Sequence, residues 1–243
     1  MSHPGPAASA ARSPRTAPLR APALLFDMDG TLVDSTALVE ATWAGFCRRH
    51  GLGLAEVLAY AHGRPTRETV GRFLPDPEAA AAETRRLVAL EETQTTGIVE
   101  VPGARDLLAA LPPGSWAVVT SAGRKLAEVR LAAAGLPVPA VLVSADDVTR
   151  GKPDPEGYLR AAAALGVPLT DVLVFEDSPA GVRAGLAGGA RTVVIGGLTD
   201  FDAVTERHPD FRDFTVVPAE PASPGVALGT ALPWGTPVDG GPR

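Results

Sequence analysis

Ala23-Leu24-Leu25-Phe26-Asp27-Met28-Asp29-Gly30-Thr31 is an apolar run that stops at two carboxylates one residue apart, with a glycine directly behind them. The run reads as a buried strand and the glycine as the point where the backbone turns, which brings both acids to a sheet edge. Carboxylates that close repel unless a cation lies between them, and an all-oxygen donor set selects a hard metal. One acid can then attack as a nucleophile while the other carries a proton. Asp-x-Asp-Gly also occurs in ordinary turns, so the decision rests on three further motifs downstream.

Further apolar runs at 116–119, 172–175 and 192–195, with a shorter one at 140–143, match the first in being continuous rather than alternating. That pattern fits strands covered on both faces, as in a parallel sheet. Helix signals lie between them. One helix over 123–134 stops at Gly135; another opens with Asp154 as N-cap and Pro155 and closes at Gly166; a third opens at Ser178-Pro179 and ends near Gly188-Gly189. Strands alternating with such helices predict an α/β fold, an open doubly wound parallel sheet.

The interval between Thr31 and Trp116 breaks this rhythm. Ser35 is placed to cap a helix to Arg49, closed by Gly51, and helices are expected over 54–61, 67–74 and 77–95. No strand is expected there, so 36–100 reads as an inserted all-helical cap over a core of 22–35 and 101–218. A structureless loop of that length would be improbable inside a compact domain. Pro102-Gly103 opens a helix back into the core, and 214–217 is a candidate edge strand. Residues 1–21 and 219–243, rich in Pro, Ala, Gly and Ser, are expected to be disordered tails.

Among 243 residues, 28 acids against 22 Lys and Arg give a net charge of -6, which argues against nucleic acid as an obligate partner. Cys47 is the sole cysteine, so no intramolecular disulfide is possible and a reducing, cytoplasmic setting is the natural reading. No apolar run approaches the roughly 20 residues that span a bilayer. The first 20 residues lack the apolar stretch of a secretion signal, which leaves a flexible tail or, as the lesser reading, a transit peptide. A monomer or weak homodimer is expected.

Asp27, at the strand's end, is the candidate nucleophile, and Asp29 the group that protonates a leaving alcohol and deprotonates the attacking water. Thr120-Ser121 follows a strand and precedes a helix, where hydroxyls and backbone N–H groups suit phosphate oxygens, although both are also ordinary helix caps. Lys125 and Lys152 are the only lysines, and Lys152 stands in the stiff turn Gly151-Lys152-Pro153-Asp154-Pro155. An ammonium fixed there can bind a phosphoryl oxygen and hold Asp27 ionised; alone it would pass for a solvated turn lysine. Glu176-Asp177 ends another strand. Four carboxylates (Asp27, Asp29, Glu176, Asp177) at one edge require a divalent cation, and Mg²⁺ suits a site of few carboxylates, waters and a substrate phosphate.

This ordered set, Phe26-Asp27-Met28-Asp29-Gly30-Thr31, Val118-Val119-Thr120-Ser121, Lys152 and Phe175-Glu176-Asp177-Ser178-Pro179-Ala180-Gly181, resembles the haloacid dehalogenase superfamily over roughly 22–196. The resemblance implies a Rossmann-like core with the site at the strands' carboxyl ends. It also implies Mg²⁺ held by the Asp27 carboxylate, the Asp29 carbonyl and the Asp177 carboxylate, with Glu176 assisting, and a phosphoryl group bound by Thr120 and Lys152. Within the superfamily the chain is similar to sugar phosphatases and glycerol-phosphate phosphatases. Their cap loops carry a sequence like His62-Gly63-Arg64-Pro65-Thr66, from which His62, Arg64 and Arg67 could read a substrate's hydroxyls or second anion; a plain interhelical turn is the equal alternative.

The expected activity is therefore a Mg²⁺-dependent phosphatase of a small phosphorylated sugar or polyol. A mutase of the β-phosphoglucomutase branch is the rival, but it needs a histidine on the first cap helix where this chain has Val39. A dehalogenase would lack Asp29, a phosphonatase would want a lysine in the cap, and a non-catalytic binding protein would not need every motif position filled. Cys47, Trp43 and Phe46 read as packing, and His50 and His208 show no metal-ligand spacing.

Overall fold

The computed structural model describes residues 18–217 and 225–230. Residues 1–17, 218–224 and 231–243, which make up most of the expected tails, lie outside it. The chain enters as β1 (Leu19–Ala21) and β2 (Leu24–Phe26), makes a short arm β3 (Val33–Asp34), and runs into α1 (Thr36–His50), α2 (Leu54–Ala61), α3 (Thr66–Phe73) and α4 (Pro77–Thr93). The return arm is β4 (Val99–Glu100). Beyond it come α5 (Ala104–Ala110), β5 (Trp116–Val119), α6 (Arg124–Ala133), β6 (Leu142–Val143), α7 (Glu156–Ala164), β7 (Leu173–Glu176), α8 (Pro179–Ala187), β8 (Arg191–Ile195), β9 (Glu206–His208), β10 (Phe214–Val217) and β11 (Val226–Thr230).

Six strands in the order β6-β5-β2-β7-β8-β9 form one sheet, and every pairing in it is parallel. Alternate residues of each strand point to opposite faces, so the continuous apolar runs feed two cores. Leu24, Phe26 and Phe175 pack with Leu107, Leu108 and Leu131 from α5 and α6, while Leu25, Val174 and Val119 pack with Tyr158, Ala161 and Ala184 from α7 and α8. Phe26 and Phe175 stack with ring centres 4.8 Å apart. The core is the expected Rossmann-like, doubly wound α/β sheet.

Helices α1 to α4 pack on a separate apolar cluster of Trp43, Phe46, Cys47, Val57, Val70 and Leu87. Cys47 is buried there as a small core residue. Gly51 ends α1 at φ 65° and Asp76 caps α4 by accepting from the Glu78 N–H. Among the described residues no helix is long and apolar enough to cross a membrane.

Several expectations need correction. The stretch 36–100 is not wholly helical: β4 pairs antiparallel with β3, in arms too short to leave a sequence pattern. Ser35 makes no side-chain cap to α1. Pro155, not Asp154, is the N-cap of α7, though Asp154 Oδ1 still accepts from the Glu156 N–H at 3.0 Å. Both expected tails contain strands. β11, within 219–243, lies between β1 and β10 in an antiparallel sheet of three. Leu19, Ala21, Val226 and Leu228 are buried there; β1 pairs with β11 alone, some two hundred positions further along the chain, which no local pattern reports.

Candidate active site

β2, β5 and β7 are adjacent and parallel, so the residues at their carboxyl ends share one edge, where open α/β sheets place their ligands. Asp27 follows β2, Thr120 follows β5, Glu176 ends β7 and Asp177 comes next. One carboxylate oxygen from each of Asp27, Glu176 and Asp177 falls within 4.8 Å of the others. Gly30 makes this possible: at φ +86°, any Cβ there would collide with the Asp177 carboxylate.

Lys152 arrives from the loop before α7 and is buried. Its ammonium donates to Asp27 Oδ1, to Glu176 Oε1 at 2.6 Å and to the Val119 carbonyl at 3.1 Å, which uses all three of its donors. Glu176 Oε1 also accepts from the Tyr158 hydroxyl at 2.8 Å. Its Oε2 accepts from the Asp177 N–H (3.0 Å), the Ser178 N–H (3.1 Å) and Ser178 Oγ (3.0 Å). Glu176, expected among the metal ligands, thus has both oxygens engaged by protein donors. Its arrangement is that of a clamp on Lys152.

Burial alone would depress the Lys152 ammonium, but the Asp27 and Glu176 carboxylates outweigh it and hold the pKa above its ordinary value. For Glu176 burial pushes up, but Lys152 together with the Ser178 and Tyr158 hydrogen bonds outweighs it, so its pKa is lowered. Asp27 goes the other way. Burial raises it well above the usual carboxylate range, Lys152 offsets this only in part, and Glu176 and Asp177 add to it. Asp177 is also raised by burial, against the pull of His62. Three carboxylates face one ammonium, and the excess negative charge is what a divalent cation relieves. A cluster of hard oxygen donors fits Mg²⁺.

Asp29 stands outside this cluster. Its Oδ1 accepts from Ser35 Oγ at 2.7 Å and its Oδ2 from Arg130 Nη1 at 2.8 Å. Thr120 Oγ1 accepts from the Ala122 N–H at 3.1 Å. The turn between α2 and α3 reaches the same edge: His62 Nε2 is 2.8 Å from Asp177 Oδ2, and Ser121 Oγ donates to the Gly63 carbonyl at 2.8 Å. The Asp177 contact is the main reason that the His62 pKa is raised.

A pocket of about 530 Å³ lies between the helical layer and the sheet edge, lined among others by Asp27, Asp29, Trp43, Arg64, Thr120 and Arg130. His62, Ser121 and Val39 also line it. Arg64 does so with its guanidinium 4.6 Å from the Tyr60 ring centre and 3.9 Å from Glu68. Arg67 does not: it donates to the Ala145 carbonyl at 3.2 Å and ties α3 to a core loop.

Sequence reasoning misses Tyr158, Ser178, Ser35 and Arg130 as site residues. Ser178 reads there only as a helix cap, which it also is, accepting from the Gly181 N–H at 3.0 Å. A tyrosine inside an otherwise apolar helix face signals a buried hydroxyl in need of a partner, and this could have pointed to Tyr158.

Residues 21–189 match the family model for haloacid dehalogenase-like hydrolases. The chain is 43% identical over 192 residues to hexitol phosphatase A of Escherichia coli, covering 77% of this chain and 89% of that one. It is 34% identical over 203 residues to glycerol-1-phosphate phosphohydrolase 2 of Saccharomyces cerevisiae, covering 79% and 81%. In structure it is similar to a hydrolase from Pseudomonas syringae, with a TM-score of 0.70 and 26% identity over 77% of this chain and 93% of the other. With the motifs, the sheet and the acidic cluster in agreement, the chain belongs to the haloacid dehalogenase-like hydrolase family and is an enzyme of its phosphatase branch.

Proposed function

We propose that this enzyme hydrolyses phosphomonoesters of small sugars or polyols, with Mg²⁺, through an aspartyl-phosphate on Asp27. The observation that carries the reading is the grouping of Asp27 and Asp177, which both line the pocket, beside Lys152. A carboxylate oxygen of Asp27 attacks phosphorus, and the ester oxygen leaves with a proton from Asp29. Asp29 then takes a proton from the water that attacks the acyl-phosphate, which frees inorganic phosphate and restores Asp27. Thr120 and Lys152 hold the phosphoryl oxygens, Lys152 with the donor that Asp27 takes in the free site. Bound to Asp27, Asp177 and the Asp29 carbonyl, Mg²⁺ would neutralise the charge of the transferring group.

The reaction demands both the covalent step and this charge neutralisation, since enhancement of monoester hydrolysis reaches about 10²¹-fold. The substrate class is supported by what the relatives are named for and by a pocket volume usual for small-molecule sites. Val39 lining the pocket, where a mutase would carry its histidine, disfavours the mutase reading. We place the enzyme in a reducing cytoplasm as a monomer or weak homodimer, consistent with the buried free thiol of Cys47.

The test is phosphate release from a panel of hexitol, hexose and glycerol phosphates, with and without Mg²⁺. Turnover that needs Mg²⁺ and vanishes in Asp27→Asn is expected. No turnover of any ester would overturn the reading in favour of a binding protein, and conversion to an isomeric phosphate would favour the mutase.

A further inference from the structure

Arg130 occupies an unusual position. It projects from α6, is 4% exposed, and donates from Nη1 to Asp29 Oδ2 at 2.8 Å and from Nη2 to Glu91 Oε1 at 2.9 Å. Asp29 belongs to the loop after β2, next to the nucleophile; Glu91 belongs to α4, in the last turns of the helical layer. Glu91 is buried as well, and all three side chains line the 530 Å³ pocket. Arg130 Nε has no partner among the described residues, so this buried cation is held by the two carboxylates.

We propose that Arg130 is a positioning residue that ties the placement of Asp29 to the seating of α4 through Glu91. The proposal rests on the phosphatase reading above, in which Asp29 delivers the proton. A buried guanidinium is strongly unfavourable without a carboxylate partner. With α4 seated, Glu91 is that partner, and Asp29 can turn Oδ2 toward the ester oxygen without stranding the charge. With Glu91 gone, Arg130 has Asp29 alone and keeps it. With Arg130 gone, Asp29 retains only its bond from Ser35, and Glu91 is left as an uncompensated buried acid. Either loss misplaces the acid while leaving Asp27 and Lys152 in position.

The leaving group separates this role from simple packing. An alkyl alcohol must be protonated as it departs, whereas p-nitrophenolate is weakly basic and leaves unaided. The experiment uses the full chain with Mg²⁺ and two esters: p-nitrophenyl phosphate, and whichever hexitol or glycerol phosphate the unaltered enzyme turns over fastest. Arg130→Gln and Glu91→Gln are expected to lower kcat on the alkyl ester by on the order of 10²-fold with little change in KM. The first-turnover release of p-nitrophenol should stay near the unaltered rate. Arg130→Lys, which keeps the charge, should recover part of the loss.

Glu92→Gln is the control. It breaks the exposed Lys125–Glu92 pair across the same α4–α6 contact without touching Asp29, and should change neither rate. Equal losses on both esters, or none, would overturn the proposal and reduce Arg130 to a packing role. If Arg130→Gln does not fold, Glu91→Gln decides alone. An unaltered enzyme inactive on both esters would instead sink the phosphatase reading itself, and this proposal with it.

Discussion

Lys152 Nζ and Glu176 Oε1 lie 2.6 Å apart, with the lysine side chain 5% and the glutamate 0% exposed. The pair is completed by the Tyr158 hydroxyl on one oxygen and the Ser178 donors on the other, so the glutamate stays charged and the ammonium stays aimed at Asp27. This relationship makes Lys152 a part of the fold, because the group proposed to meet phosphate is fixed from behind.

Removing one partner of such a pair leaves the other charge buried and unbalanced. Glu176→Gln is expected to lower stability by about 3–5 kcal/mol in urea unfolding, against about 1 kcal/mol for Tyr158→Phe, which removes a single hydrogen bond. Similar small losses for both would show that Lys152 is held by something else.

Gly30→Ala combines two penalties: φ at +86° and a Cβ driven into the Asp177 carboxylate. The variant should fold less stably and lose most of its Mg²⁺-dependent turnover, since Asp177 must leave the cluster. Activity within a factor of about two of the unaltered enzyme would contradict the tight approach of these two loops.

If Mg²⁺ binds the Asp27–Asp177 cluster as proposed, it should raise the melting temperature, because the unfolded chain has no such cluster. The gain is about 2.7 kcal/mol at a hundred times Kd. EDTA should reverse it, and Asp177→Asn should abolish it. A shift that survives in Asp177→Asn would place the ion elsewhere.

Glu156 carries a pH signature of its own. Hydrogen bonds from the Thr149 and Arg150 N–H groups, with Arg160 beside it, lower its pKa from 4.5 to about 2. A depressed carboxylate stabilises the fold above its unfolded value and loses that contribution as pH falls toward the folded one. Between about pH 4.5 and 2 the unaltered protein should therefore lose stability more steeply than Glu156→Gln, as read by thermal melts across that range. Parallel curves would count against it.

How much of the molecule was legible in the sequence depends on distance along the chain. The strands ending at Asp27, Thr120 and Glu176 announced themselves because a run buried on both faces is apolar without interruption. Their convergence followed from the parallel order. Arg130 gave no such sign: an arginine in the last turn of α6 looks like surface charge until the fold sets a carboxylate on each side of its guanidinium. Ser35 had two candidate jobs, helix cap and partner of Asp29, and local sequence favoured the wrong one. Arg67 likewise had the chemistry of a substrate reader but reached the Ala145 carbonyl, a partner seventy-eight positions away.

The small antiparallel sheet carries a practical lesson. β11 sits between β1 and β10, so a protein cut after Val217 would keep the whole catalytic apparatus yet bare two strand edges at once. Unsatisfied edges invite pairing with neighbouring molecules. Such a shortened protein should clump on concentration before it loses its chemistry, because the short segment around Leu228 is the clasp that closes both edges.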